Sequence, residues 1–234
     1  MRRFISFTAG VLAAGLVSGV LAAPAASAQQ SINLFAGGFA APGFDSRPAT
    51  DVVRNNLGFL DFNISDFNSP TFGGEYLVGL GNNVEAGLGI GFQTRTVPTV
   101  YRDFVNSDGS EIEQDLKLRV IPFTATVRLL PLGSRNSFVP YIGAGVGVFR
   151  WRYSESGQFI ATDNSIFNDS FVGSGSATGP VVLGGVRVPM GSGGFGGEIR
   201  YQSAKGNLPT DQGFQGTTID LGGISYLFMV NFRF

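Results

Sequence analysis

Residues 224–234 read Ile-Ser-Tyr-Leu-Phe-Met-Val-Asn-Phe-Arg-Phe, with Ile, Tyr, Phe, Val, Phe and Phe at the even positions and Ser, Asn and Arg among the odd ones. Successive side chains of a β-strand point to opposite faces, so this stretch has one face suited to hydrocarbon and one suited to water. Comparable segments recur at about 31–40, 71–81, 84–96, 114–129, 138–153, 179–190, 194–204 and 217–234, which makes eight. Long helical patterns of Ala, Leu, Glu and Lys are missing, while Gly supplies 35 and Phe 22 of the 234 residues. An even number of strands lets an antiparallel sheet close with both termini on one side, and closure removes the unpaired edges that a bilayer cannot solvate.

The start of the chain indicates export. Met1-Arg2-Arg3 is a positive head, Phe4 to Leu21 is apolar apart from small or hydroxyl residues, and Ala26-Ser27-Ala28 precedes Gln29. That is the three-part form of a cleaved secretory signal, with Ala26 and Ala28 as the small residues at the cut. The expected division is a signal over residues 1–28 and one barrel domain over 29–234. Without the signal, 14 basic side chains face 17 acidic ones, a balance that gives no reason to expect a nucleic-acid partner. The sequence after residue 28 holds no apolar run of the ~18 residues a spanning helix needs, so membrane residence has to come from strands.

Connection lengths alternate. Asn82-Asn83, Pro131 to Ser137 and Gly191-Ser192-Gly193 are short, whereas about 41–70, 97–113, 154–178 and 205–216 are long and polar. The expected fold is therefore all-β, an eight-stranded antiparallel up-and-down transmembrane β-barrel with short periplasmic turns and long extracellular loops. Within the strands, Phe72, Gly74, Tyr76, Val78 and Leu80 lie opposite Glu75, and Val84, Ala86, Leu88, Ile90 and Phe92 lie opposite Glu85, Gln93 and Arg95. The fourth segment changes phase: Leu116, Leu118 and Val120 are followed by Phe123, Ala125, Val127 and Leu129, and a β-bulge near Ile121-Pro122 is the expected cause, a kink between two shorter strands being the other reading.

A charge facing hydrocarbon costs ~2–4 kcal/mol at mid-bilayer for Arg or Lys. Glu75, Glu85, Arg95, Asp115, Lys117, Arg119, Arg128, Arg187, Glu198, Arg200 and Arg233 are therefore expected inside, as a lumen charge network that plugs the barrel. Gly87, Gly89, Gly91, Gly143, Gly145 and Gly147 are expected to face the same interior, where long charged side chains need small neighbours. Aromatic girdles are expected from Phe149, Trp151, Tyr153 and Tyr101 at the outer rim and from Phe138, Phe195, Phe232 and Phe234 at the periplasmic rim. The apolar set from Leu57 to Ile64 in the first long connection suits extra strands, a cap over the barrel or contact with a hydrophobic ligand.

Three runs carry a resemblance to a known family: Ile121-Pro122-Phe123-Thr124-Ala125-Thr126-Val127, Pro140-Tyr141-Ile142-Gly143-Ala144-Gly145-Val146-Gly147, and Asn231-Phe232-Arg233-Phe234. Over about residues 31–234 the chain resembles the small outer-membrane β-barrel superfamily, which includes the OmpA membrane domain and OmpX- and OmpW-type proteins. The resemblance implies residence in a bacterial outer membrane, contact with its lipid and lipopolysaccharide, and recognition by the barrel-assembly machinery. Tyr226, Phe228, Phe232 and Phe234 would carry that assembly signal.

Enzyme chemistry finds little support. The chain has no His and no Cys, which removes His-based general bases, Cys nucleophiles, disulfides and His/Cys zinc sites. Gly191, Gly193 and Gly196 match a dinucleotide fingerprint by letter, but no helical pattern follows and a tight turn is the expected structure. Asp163, Asn164, Asn168 and Asp169 lack the spacing of a calcium loop. No catalytic, cofactor or metal site is expected. The expected role is structural or surface-interacting, with an OmpW-like narrow channel for small hydrophobic or polar solutes as the alternative.

Overall fold

The computed structural model describes residues 29–234, so the expected signal and its cleavage residues Ala26 and Ala28 lie outside the described residues. Eight strands close into one antiparallel ring. They are β1 (Gln30–Ala40), β3 (Ser69–Gly79), β4 (Val84–Val105), β5 (Glu111–Leu129), β6 (Val139–Ile160), β7 (Ile166–Met190), β8 (Gly193–Gln202) and β11 (Gly223–Arg233). Their order is β4-β3-β1-β11-β8-β7-β6-β5, closed by the pairing of β5 with β4. Three short strands lie outside the ring: β2 (Leu60–Asp61) extends the sheet beside β4, and β9 (Lys205–Asn207) pairs with β10 (Thr218–Asp220).

Strand length divides the ring. β1, β3, β8 and β11 have 10 or 11 residues, while β4, β5, β6 and β7 have 22, 19, 22 and 25. A tilted strand crosses the hydrocarbon of a bilayer in ~9–11 residues, so the first group is of spanning length and the second about twice that. Around the short-turn half, the outward face carries Leu34, Phe72, Leu88, Val127, Ile142, Val146, Ile199 and Phe228, each more than half exposed. Together these residues make an apolar belt around the ring. Above it, β4 to β7 continue as a half-shell.

The half-shell corrects two expectations. Much of 97–113 and 154–178 is ladder, not loop, because β4–β5 and β6–β7 stay paired far beyond the belt. No register shift occurs at Ile121-Pro122: β5 holds one register against β6 from Gln114↔Gly157 to Leu129↔Ile142, and its pairing with β4 lapses opposite Gly91 and Phe92 but resumes in the same register, the one register shift falling between Val100 and Val105. Even-numbered residues of β5 face inward throughout. What changes at residue 121 is the surroundings of the two faces. From Ile121 to Leu129 the outward residues are apolar and the inward ones include Thr124, Thr126 and Arg128; from Glu111 to Arg119 the outward residues are charged and the inward ones are Ile112, Gln114, Leu116 and Leu118.

The connection between β1 and β3 fills the inside of the half-shell. It contains α1 (Val52–Asn56), whose N-cap Asp51 accepts a hydrogen bond from Arg54 N at 2.9 Å. Five residues make an isolated helix untenable, so packing holds it. Val52, Val53, Leu60, Phe62, Ile64 and Phe67 are buried against Val97, Leu116, Val120, Phe149, Trp151, Tyr153 and Ile219. Of the readings left open for the Leu57–Ile64 set, the structure shows a short strand, β2, and a cap.

Candidate functional site

Inside the belt the barrel is filled by ion pairs. Arg128 Nη2 binds the Glu75 carboxylate and lies 2.9 Å from Glu198 Oε2; Arg200 Nη2 lies 2.7 Å from Glu198 Oε1 and 3.7 Å from Glu75 Oε1. Tyr141 donates its hydroxyl to Glu198 Oε2 at 3.0 Å and lies 4.8 Å, centroid to guanidinium carbon, from Arg128. Nearer the short turns, Arg187 Nη2 donates to Glu85 Oε1 at 2.6 Å. Three arginines thus meet three glutamates, all inside and almost fully buried.

Register explains how the pairs meet. Glu75 lies opposite Gly89 across β3–β4, and Glu198 lies opposite Gly185 across β7–β8. A β-carbon on the neighbouring Gly87 would stand 3.0 Å from Glu75 Oε1 and 2.9 Å from Thr126 Oγ1, so a side chain there would crowd the carboxylate. Asn231 Nδ2 donates to Asn33 Oδ1 at 2.6 Å below the network, and an apolar set of Phe35, Leu130, Val139, Leu183, Leu227 and Met229 fills the remaining space.

The other charges expected inside are placed differently. Arg233 is half-buried at the short-turn rim, with Nε 3.3 Å from Asn231 Oδ1. Arg95 is exposed and donates through Nε to the Asp66 carbonyl at 2.7 Å, tying the cap to the wall. Asp115, Lys117 and Arg119 face outward and are exposed. That expectation fails because they lie above the belt, where the outward side of the wall meets water. The outer aromatic girdle fails for the same reason: Phe149, Trp151 and Tyr153 are inward and buried in the apolar core of the half-shell. Phe138, Phe195, Phe232 and Phe234 are exposed on the short-turn half, as are Tyr226 and Phe228. Phe234 N donates to the Gln30 carbonyl at 3.1 Å, which holds the terminal residue to β1.

Above the network the cap carries its own polar anchors, which the sequence reading missed. Arg47 Nη1 lies 3.0 Å from Asp51 Oδ1, both buried, and Asp220 N donates to Asp51 Oδ2 at 2.6 Å. Asn56 Nδ2 donates to Glu155 Oε1 at 2.6 Å, and the Tyr153 hydroxyl donates to the same oxygen at 2.9 Å. Glu155 has no cationic partner among the described residues, and burial pushes its carboxyl above the usual range against the opposing effect of those two hydrogen bonds. The signal for this cluster is an acid, Glu155, at an inward position of β6, within the polar stretch 154–178 whose composition reads as loop.

Small cavities interrupt the interior. One of about 20 Å³ is lined by Arg47, Phe67, Gln93 and Leu118, and another of about 10 Å³ by Phe35, Thr71, Gln93 and Arg200. Each has room for about one water. The glycine fingerprint at 191–196 is a tight turn at Gly191-Ser192, with Gly191 at φ +61°, that runs straight into β8, and Asp163 Oδ1 accepts from Ser165 N and Oγ within its own hairpin tip.

No protein-family model matches the chain, and no curated protein matches it in sequence. Its structure is similar to those of small outer-membrane β-barrel proteins. OprG of Pseudomonas aeruginosa aligns at 14% identity over 89% of this chain and 96% of its own, with a TM-score of 0.49. Neisserial surface protein A aligns at 13% identity over 88% and 97%, TM-score 0.47, and the Ail protein of Yersinia pestis at 13% identity over 89% and 99%, TM-score 0.45.

Proposed function

We propose that the chain is a bacterial outer-membrane barrel with a structural or surface-interaction role, closed to solutes and without enzymatic activity. The observation that carries this reading is the filled interior. Glu75, Arg128, Glu198 and Arg200 bridge the barrel inside the belt, and the cap packs Val52, Val53 and Leu60 into the space above them. A continuous water column would have to break both. In this reading the short turns lie in the periplasm, and the half-shell stands outside the cell. Planar-bilayer recording with purified protein tests it: no stepwise conductance is expected, and reproducible steps would instead support the narrow-channel alternative.

The C-terminal row of Tyr226, Phe228, Phe232 and Phe234 serves in this proposal as the segment read during insertion, with lipid and lipopolysaccharide as its surroundings. Deleting Phe234 removes one exposed ring and one end-of-ladder hydrogen bond. Insertion in cells should fall while spontaneous folding in detergent persists, as read by outer-membrane abundance and heat-modifiable gel mobility. Unchanged insertion in cells would exclude the recognition role.

A further inference from the structure

The outer wall of β5 and β6 changes character in bands. Going up β5 from the belt, the outward residues run Phe123, Ile121, then Arg119 and Lys117, then Asp115, Glu113 and Glu111; on β6 they run Val146, Val148, then Arg150 and Arg152, then Ser154 and Ser156. Arg119 lies directly opposite Arg152, and Arg150 directly opposite Ile121. Like charges facing each other across a ladder are destabilising. Yet none of the three arginines has a salt-bridge partner among the described residues, although Asp115, Glu113 and Glu111 lie farther out on β5. Arg119, Arg150 and Arg152 line one groove of about 390 Å³ with Ile121 and Phe123, and Ser174 and Ser176 flank it from β7.

We propose that this groove binds the phosphorylated headgroup of a lipid in the outer leaflet, with Arg119, Arg150 and Arg152 on the phosphate and Ile121 and Phe123 against the start of the acyl region. The inference rests on the membrane reading above and adds a binding site to it. Its basis is complementarity of two kinds at one place. Guanidinium groups match phosphate oxygens in charge and geometry, and the apolar residues immediately below continue the belt. A soluble anion would satisfy the arginines but make no use of the apolar floor. The cations stand at the edge of the belt and the acids farther out, which keeps repulsion away from the lipid surface. The site occupies only the β5–β7 side of the wall.

The test is lipid retention by the folded, full barrel in native mass spectrometry. The probe is an acylated glucosamine disaccharide carrying two phosphates, compared with its dephosphorylated counterpart. Three Lys or Arg side chains near a lipid surface support a roughly 100-fold preference for anionic lipid. Wild type should show that preference, and the triple variant Arg119→Gln, Arg150→Gln, Arg152→Gln should lose it. Arg102→Gln, in an exposed arginine on β4 outside the groove, should keep it. Equal retention of the two probes by wild type, or an unchanged preference in the triple variant, would overturn the proposal. So would displacement of the probe by millimolar inorganic phosphate, which would assign the arginines to a soluble anion. Heat-modifiable mobility reports barrel formation separately, so failure of the groove and failure of the membrane reading are distinguishable. Should the triple variant not fold, Arg150→Gln alone must still lower the preference several-fold.

Discussion

The two halves of the barrel obey the same strand parity and opposite chemistry. Below Ile121 the wall of β5 is apolar outside and polar within; above it, the same alternation puts Glu113, Asp115 and Lys117 outside and Ile112, Leu116 and Leu118 within. One half is solvated by hydrocarbon and must hide its charges, and the other is solvated by water and builds an ordinary apolar core. A strand therefore does not reveal which face is the interior until its solvent is known.

The largest effect should come from the charged interior. Arg128→Ala leaves Glu75 and Glu198, both buried, sharing Arg200. Removing one partner of a buried pair costs about 3–5 kcal/mol, so urea unfolding in liposomes should show a loss of that order. A loss below about 1 kcal/mol would mean that water reaches the network and that the lower half is not dry inside.

Next comes a pair of substitutions on one strand and one face. Val127→Arg should cost about 2–4 kcal/mol in liposomes, because residue 127 faces the belt. Asp115→Arg, on the same outward parity, should stay within about 0.5 kcal/mol. Equal costs at the two positions would remove the contrast between halves.

The upper half should show a pH dependence at its cap. Burial raises the Glu155 carboxyl in the folded state, so the fold disfavours the charged form. The contribution of Glu155 is fully present below its unfolded value, near 4.5, and is lost as pH rises through the raised folded value. Hydrogen exchange of the α1 amides should thus quicken as pH rises through that window, after correction for the intrinsic rate. Glu155→Gln should flatten the profile and slow α1 exchange at neutral pH. An identical profile in the variant would show that another group controls the cap.

The lower half was legible because each spanning segment carried its own signal. Glu75, Glu85, Arg128, Arg187, Glu198 and Arg200 all alternate with apolar residues, and all are inside. In the upper half parity alone misleads, because its apolar face does not meet lipid there. On the assumption that it does, Leu116, Leu118 and Val120 are out of phase with Phe123 and Val127 and require a bulge, whereas the ladder keeps one register through residue 121. The same assumption turns Asp115, Lys117 and Arg119 inward. Length held the missing information: nineteen residues in β5 make about 60 Å of strand, roughly twice a tilted crossing, so half of it had to meet water. The cap is one of three readings that the Leu57–Ile64 set allows, and sequence alone does not choose among them. Its contacts join Val52, Leu116, Tyr153 and Ile219, which only the closed ring brings together.

The central claim is that β5 passes from hydrocarbon to water without changing its register. Because the chain contains no Cys, single cysteines at each position from 111 to 129 give a clean nitroxide scan in vesicles, read by accessibility to oxygen and to a water-soluble nickel complex. Odd positions from 121 to 129 should favour oxygen, odd positions from 111 to 119 should favour nickel, and most even positions should be shielded from both. An exchange of the accessible set from odd to even positions near residue 121 would contradict the account, as would oxygen-dominated accessibility along the whole strand.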